Sequence, residues 1–286
     1  MEKLILFRRQ SKDGAHMFRC VVFDLETIPN LEAARALLGA APTVSDVEIR
    51  QALSVRYARA NQVPAEAFIK LPMHQIVCIG ALYAEREEVG ATWKVTGSGS
   101  GCVDQRSERD LVATFMDSLA GSPGPRLIGF NSFSFDLPLL RYRALALSLP
   151  APMLHGANGR NYWYRYGQDH LDLCDAFSNF RSSPPPSLAE VAALCGLPAK
   201  IGGIDGSKVE GLFRGGQIAD VAAYCETDVL VTYLVFLRFS FMIGELTNEA
   251  YQQSLVNMKD FFAVRTQHRP HYTSLLNIIQ RSWQHE

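Results

Sequence analysis

The sequence has almost no net charge. Its 28 Lys and Arg stand against 29 Asp and Glu, a balance of −1, which argues against a broad electrostatic nucleic-acid binder but leaves room for a local basic groove. Its six cysteines, at positions 20, 78, 102, 174, 195 and 225, form no C-x-x-C pair and no ligand-like spacing with histidine. They read as reduced thiols, mostly buried, in a cytoplasmic protein. Long apolar runs are missing as well. Val229 to Gly244 is shorter than the ~20 residues a membrane span needs and has Arg238 inside it. A buried helix is the better reading, and no membrane partner is expected. The apolar stretch Leu4 to Phe7 is too short for a secretion signal, and polar residues follow Arg8 and Arg9. Residues 1–16 read as an extension upstream of a start at Met17. No G-K-S/T follows the glycine–serine run at 97–101, so a flexible loop is expected there rather than a phosphate cradle. No internal repeat and no dividing linker stands out.

What is present is the composition of an ordinary soluble enzyme, 48% hydrophobic and 20% charged, in a chain of 286 residues. That length holds one full α/β domain with additions. The most informative stretch is Val21-Val22-Phe23-Asp24-Leu25-Glu26-Thr27, which leads into Pro29-Asn30. β-Branched and aromatic residues ended by proline predict a short buried strand. Side chains alternate along a strand, so Asp24 and Glu26 share one face while Phe23 and Leu25 take the other. Two adjacent carboxylates on an apolar strand repel each other and resist desolvation unless a cation sits between them. Oxygen ligands at this spacing suit Mg²⁺ or Mn²⁺. The plain alternative is a strand end dipping into solvent.

Along the rest of the chain, short helices are predicted over 31–39 and 44–61, with a loop between Pro64 and Pro72. A strong strand over 75–83 is expected to pair with 91–96 as a hairpin. Ser107 opens a helix to about Leu119. A short strand at 126–130 precedes a helix over 135–147, a long loop at 150–168, a helix over 171–180 and another from Ser187 to about Cys195. A glycine-rich loop spans 196–216 and carries Lys200, Lys208 and Arg214. A long helix from Ile218 to about Leu246 follows, and the tail from Asn248 is expected to be helical. The economical reading is one α/β domain over 17–246, with a helical C-terminal extension at 247–286 packed on it.

Two further stretches carry acids. In Asn131-Ser132-Phe133-Ser134-Phe135-Asp136, Asp136 falls at a strand-to-helix turn, where an acid also serves as a plain helix cap and Asn131 as a turn former. In Tyr224-Cys225-Glu226-Thr227-Asp228, Tyr224 and Asp228 share one helix face, although a solvated helix edge explains them equally well. Asp172 in His170-Leu171-Asp172-Leu173 reads either as a helix N-cap or as an acid supporting the others.

Together, Asp-x-Glu on a strand, Asn-x4-Asp at a turn and Tyr-x3-Asp on a helix resemble the DEDD superfamily of 3′–5′ exonucleases, in the subtype with Tyr in its third motif. FDLET, GFNSFSFDLPLL and YCETD, with HLDLCD and DGSKV between them, are similar to the predicted PolB-like 3′–5′ exonuclease family, over about 17–246. The resemblance implies a ribonuclease H-like mixed β-sheet flanked by helices, with extra C-terminal helices. It implies two divalent cations, Mg²⁺ or Mn²⁺, held by Asp24, Glu26, Asp136 and Asp228, with Tyr224 orienting the attacking water. It also implies a single-stranded nucleic acid engaged at its 3′ end, with DNA favoured and an RNA-specific enzyme or a catalytically silent binding module as alternatives. Substrate contacts would come from Leu25, Thr27, Asn131 and Lys208. Protein partners are not legible. A haloacid-dehalogenase-like phosphatase fits worse, because it wants Asp-x-Asp where this chain has Asp24-x-Glu26.

Overall fold

The computed structural model describes residues 18–197, 206–267, 269–273 and 276–277; residues 1–16, Lys200 and Trp283 lie outside them. The central strand is longer than its motif. Phe18–Pro29 (β1) is extended throughout and almost wholly buried. The helices Leu31–Leu38 (α1) and Asp46–Tyr57 (α2) follow, and α2 opens on a capping box in which Ser45 and Glu48 satisfy each other's backbone donors. These helices close a small separate core around Ala34, Ile49, Leu53 and Ile69. The segment between Pro64 and Pro72 forms two 3-10 turns, Pro64–Glu66 and Leu71–Met73.

His74–Arg86 (β2) returns antiparallel to β1, and Lys94–Cys102 (β3) pairs antiparallel to β2. The loop expected at 97–101 is therefore a strand. Its small residues lie flat between larger neighbours: a Cβ added at Gly101 would come within 2.9 Å of Leu111. Backbone pairing with β2 outweighs the weak intrinsic strand preference of Gly and Ser. After Glu108–Ser118 (α3), the chain enters Arg126–Gly129 (β4), which pairs parallel to β1. Asp136–Ala146 (α4) and a loop containing the 3-10 turn Pro152–His155 lead to His170–Asp172 (β5), parallel to β4. The helix expected over 171–180 is thus a strand followed by the short helix Leu173–Phe177 (α5), which Asp172 caps by accepting from the Cys174 and Asp175 amides.

Leu188–Leu194 (α6) begins on a second capping box, Ser187 with Glu190. In the described part of the glycine-rich stretch, residues 206–214 are a 3-10 turn, Gly206–Lys208, running into Val209–Arg214 (α7). Here Val209 packs with Ile28 and Val221, and this apolar anchoring overrides the glycine content. Ile218–Met242 (α8) and Asn248–Ala263 (α9) complete the described helices. No helix among the described residues is long and apolar enough to cross a membrane.

The sheet order is β3-β2-β1-β4-β5, the mixed sheet flanked by helices that the ribonuclease H-like resemblance implies. Strand alternation splits the core in two. Cys20 and Val22 of β1 face α8, α9 and α6, whereas Val21, Phe23 and Leu25 face α3 and α4. Asp24 and Glu26 therefore project towards α8.

On its other side, α8 buries a second acid. Glu226 is 2% exposed and accepts hydrogen bonds from Ser100 of β3 at 2.7 Å, Tyr272 at 2.8 Å, His271 at 2.8 Å and Arg269. Burial alone would raise its pKa, but these donors bring it down to about 2. A carboxylate with a folded pKa below its usual 4.5 contributes stability above that value and loses it as pH falls towards about 2. Glu226→Gln should therefore lower Tm at neutral pH, by on the order of 3 kcal/mol of stability. The gap to the parent should close through that acid window in thermal melts; a gap independent of pH would show that the network does not depend on the charge.

Candidate active site

Asp24 sits opposite Gly80 in the β1–β2 ladder. A Cβ at Gly80 would lie 2.8 Å from Cys225 Sγ and 3.0 Å from Val229 Cγ2. Glycine here lets α8 press directly onto the sheet at the level of Asp24, closer than a side chain would permit. That approach sets Cys225 Sγ 3.5 Å from the Asp24 carbonyl oxygen and 3.8 Å from its Oδ2. One ligand atom each from Asp24, Glu26 and Cys225 lies within 4.8 Å of the others. Tyr224 and Asp228 flank Cys225 on the same helix, close enough for Asp228 to raise the Tyr224 hydroxyl pKa. A β-bulge between Glu26 and Thr27 ends the regular register beside the acids; such bulges re-aim side chains.

Asp136 arrives from the opposite side. β4 pairs with β1 only as far as Val22 and ends at Gly129. Asn131 then takes a left-handed conformation, φ 62°, and turns the chain away. A Cβ at Gly129 would fall 2.3 Å from Ser132 Oγ, so the missing side chain lets the turn fold tightly back. The turn is fixed by Asp172, which accepts from the Asn131 amide at 2.8 Å and the Phe133 amide at 2.9 Å. Asp136, the first residue of α4, accepts from the Leu25 amide at 3.2 Å. Its carboxylate thus takes the place that β4 vacates beside β1.

The acids perturb one another. Asp24 is pushed well above the usual carboxylate range by burial and by Asp136 and Asp228. Glu26 is raised by burial and by Asp24 and Asp228. Burial and Asp172 bring Asp136 up to about 8, and burial brings Asp228 up to about 6. Groups this crowded share protons unless a cation neutralises them. Glu26 Oε1 is buried without a hydrogen-bond partner, so the chain leaves one carboxylate oxygen unsatisfied within the cluster. Two carboxylates beside the Cys225 thiol, one of them with an orphaned acceptor, fit a hard divalent ion on their oxygens.

The structure brings Asp24, Glu26, Asp136, Tyr224 and Asp228 to one place. The substrate-contact candidates are more dispersed. The Leu25 amide is committed to Asp136. Thr27 Oγ1 lies 3.0 Å from His74 Nδ1, and His74 Nε2 lies 2.9 Å from the Ile69 carbonyl. That carbonyl only accepts, so Nε2 carries the proton and the Thr27 hydroxyl donates to Nδ1. The Asn131 amide oxygen accepts from Arg181 at 2.5 Å. Lys208 is exposed at the start of α7. Asp172 caps α5, one of the two roles its sequence offered, and also clamps the turn; one participant went unread, Cys225, which touches Asp24. The position of Cys225 directly after Tyr224 was the available signal.

Removing one charge from this cluster relieves repulsion. In EDTA, Asp24→Asn should melt no lower than the parent, and Mn²⁺ should raise the parent's Tm while leaving the variant's nearly unchanged. A clear drop in the variant's metal-free Tm would make Asp24 a structural acid instead.

Comparisons with known proteins place the chain among its relatives. A DNA polymerase of Archaeoglobus fulgidus is 22% identical over 193 residues, covering 64% of this chain and 24% of that protein. A family B DNA polymerase of Pyrobaculum calidifontis superposes with a TM-score of 0.48 at 17% identity, over 78% of this chain and 24% of the other. The chain spans about a quarter of the length of these relatives. A family described as predicted 3′–5′ exonucleases related to the exonuclease domain of PolB matches residues 66–279; that span includes Asp136, Tyr224 and Asp228, follows the strand bearing Asp24 and Glu26, and runs past α9. With three quarters of its length inside that match, the chain belongs to this family of predicted PolB-related 3′–5′ exonucleases.

Proposed function

We propose that the protein is a metal-dependent 3′–5′ exonuclease of the Tyr-containing DEDD subtype. It hydrolyses single-stranded nucleic acid, DNA in preference to RNA, from the 3′ end and releases nucleoside 5′-monophosphates. The observation that carries this reading is the convergence of four acids from β1, α4 and α8 on one cluster whose Glu26 Oε1 has no partner. Asp24, Glu26, Asp136 and Asp228 would hold two ions, Mg²⁺ or Mn²⁺. Such ions supply a nucleophilic water at neutral pH and stabilise the leaving oxygen. The chain's own part is positioning. Asp136 ties α4 to β1 through the Leu25 amide, and Gly80 sets the height of α8.

Burial and the neighbouring acids raise the Tyr224 hydroxyl pKa far above its ordinary value, so it stays protonated and acts as a hydrogen-bond donor. Its role is to orient the attacking water rather than to remove its proton. A paired 3′ end must first be unstacked before its terminal nucleotide can enter an acid-lined site, and this favours single strands.

An oligonucleotide labelled at its 5′ end should shorten stepwise with Mg²⁺ or Mn²⁺ and yield 5′-monophosphates. Products bearing 3′-phosphates, or undiminished activity in EDTA, would exclude the reading. Matched DNA and RNA strands settle the sugar preference.

Tyr224→Phe removes one hydrogen bond and keeps the ring. It should slow turnover about tenfold to hundredfold, the effect of ~1–3 kcal/mol, with metal affinity and Tm nearly unchanged. Parental turnover in that variant would make Tyr224 a packing residue.

A further inference from the structure

The long loop before β5 and the turn after α5 bring large aromatic rings to the surface together. Tyr164 is 57% exposed, Tyr166 65% and Phe180 37%. Tyr166 meets Phe180 edge-on with centroids 4.7 Å apart, and Tyr164 meets Tyr166 at 6.3 Å. Two segments distant in sequence thus share one apolar strip, and the molecule holds them there by construction. Arg165 grips Asp175 with two bonds, at 2.6 and 2.8 Å, and Arg181 bonds the same carboxylate at 2.8 Å. Asp175 is buried, while the Arg165 and Arg181 side chains remain 28% and 30% exposed. Two cations share the Asp175 carboxylate, with Asp172 close enough to act on Arg165 as well.

The backbone is also held in an uncommon form. Asn179, Phe180 and Arg181 have φ of 48°, 55° and 71°, three successive left-handed residues of which none is glycine. L-residues keep that conformation only where their surroundings enforce it, and such segments gather at functional sites. The strip abuts the turn that precedes α4. Arg165 lies 5.4 Å over the Phe133 ring, and Arg181 reaches Asn131 and, at 3.3 Å, Ser134. Both contacts fall on the turn that delivers Asp136.

We propose that Tyr164, Tyr166 and Phe180, with Arg165 and Arg181, form a binding track for the single strand behind its 3′ end. Bases stack on the rings and backbone phosphates face the guanidiniums. Every base has a π-face, so the track accepts any sequence. It serves DNA and RNA alike, because neither ring nor guanidinium contact requires a 2′-hydroxyl. The near-neutral chain would thus keep its cationic contact local. This inference rests on the exonuclease reading but is separable from it.

The test uses the full chain and two substrates. Binding of 5′-fluorescein dodecamers of thymidylate and of uridylate is followed by anisotropy with Ca²⁺, and their degradation with Mn²⁺. The p-nitrophenyl ester of thymidine 5′-monophosphate, which is too small to reach the track, reports the catalytic centre. The variant Tyr164→Ala/Tyr166→Ala should weaken dodecamer binding about tenfold or more and raise KM in step, while ester turnover stays within about twofold of the parent. Tyr164→Phe/Tyr166→Phe keeps the rings and should bind like the parent. Comparing the dodecamers assigns the track to DNA, RNA or both. Unchanged dodecamer affinity in the alanine variant of an active enzyme overturns the track and leaves the exonuclease reading standing, as does ester turnover that falls in parallel with binding. If the parent degrades nothing, the exonuclease reading fails and binding alone decides: loss in the alanine variant upholds the track, and a parent that does not bind overturns it.

Discussion

The candidate centre depends on how closely α8 lies on the sheet. Four carboxylates have no intrinsic reason to gather, since burial and mutual repulsion both oppose it. The opposing force is apolar. The stretch Val229–Leu237 of α8 is almost entirely buried against β1, β2 and the C-terminal helices, and burying such side chains stabilises by about 1.5–3 kcal/mol each. That packing fixes the helix, and Gly80 sets how near it comes. Tyr224 and Asp228 are carried along as passengers on a helix held by other residues.

The other half of the centre is fixed by hydrogen bonds. Asp172 uses one carboxylate for two tasks, capping α5 and gripping the Asn131–Phe133 turn. Asp136 then ties the start of α4 to the Leu25 amide. Asp172 therefore acts wholly on backbone donors, whereas Asp136 acts on one and also faces the other acids. The family's motifs name Asp136, while Asp172 holds the turn that presents it.

Much of this was legible in the chain because it follows from short-range periodicity. Alternation along β1 placed Asp24 and Glu26 on one face, and the i,i+4 rule placed Tyr224 beside Asp228. Ser107 and Ser187 marked their helix starts correctly. The two missed strands share one cause. The Gly-Ser run became β3 and His170–Asp172 became β5 because each found a neighbouring strand to pair with. Strand pairing is a long-range fact with little local signature. The same holds for Glu226: nothing beside it in YCETD signals partners as far away as Arg269, His271 and Tyr272. A cluster of raised pKa values is likewise a property of the assembled centre and belongs to no single motif.

Glu226 sits two positions from Asp228 on one turn of α8, yet its donors at 269–272 follow it by 43 to 46 residues. A chain emerging from the ribosome reaches α8 well before it reaches the counter-charges of that helix. Until they arrive, a carboxylate bound for the interior is unmatched, which offsets part of the apolar gain from seating α8 on the sheet. A nascent copy that stalls after α8 carries every motif acid but lacks the groups that let their helix settle.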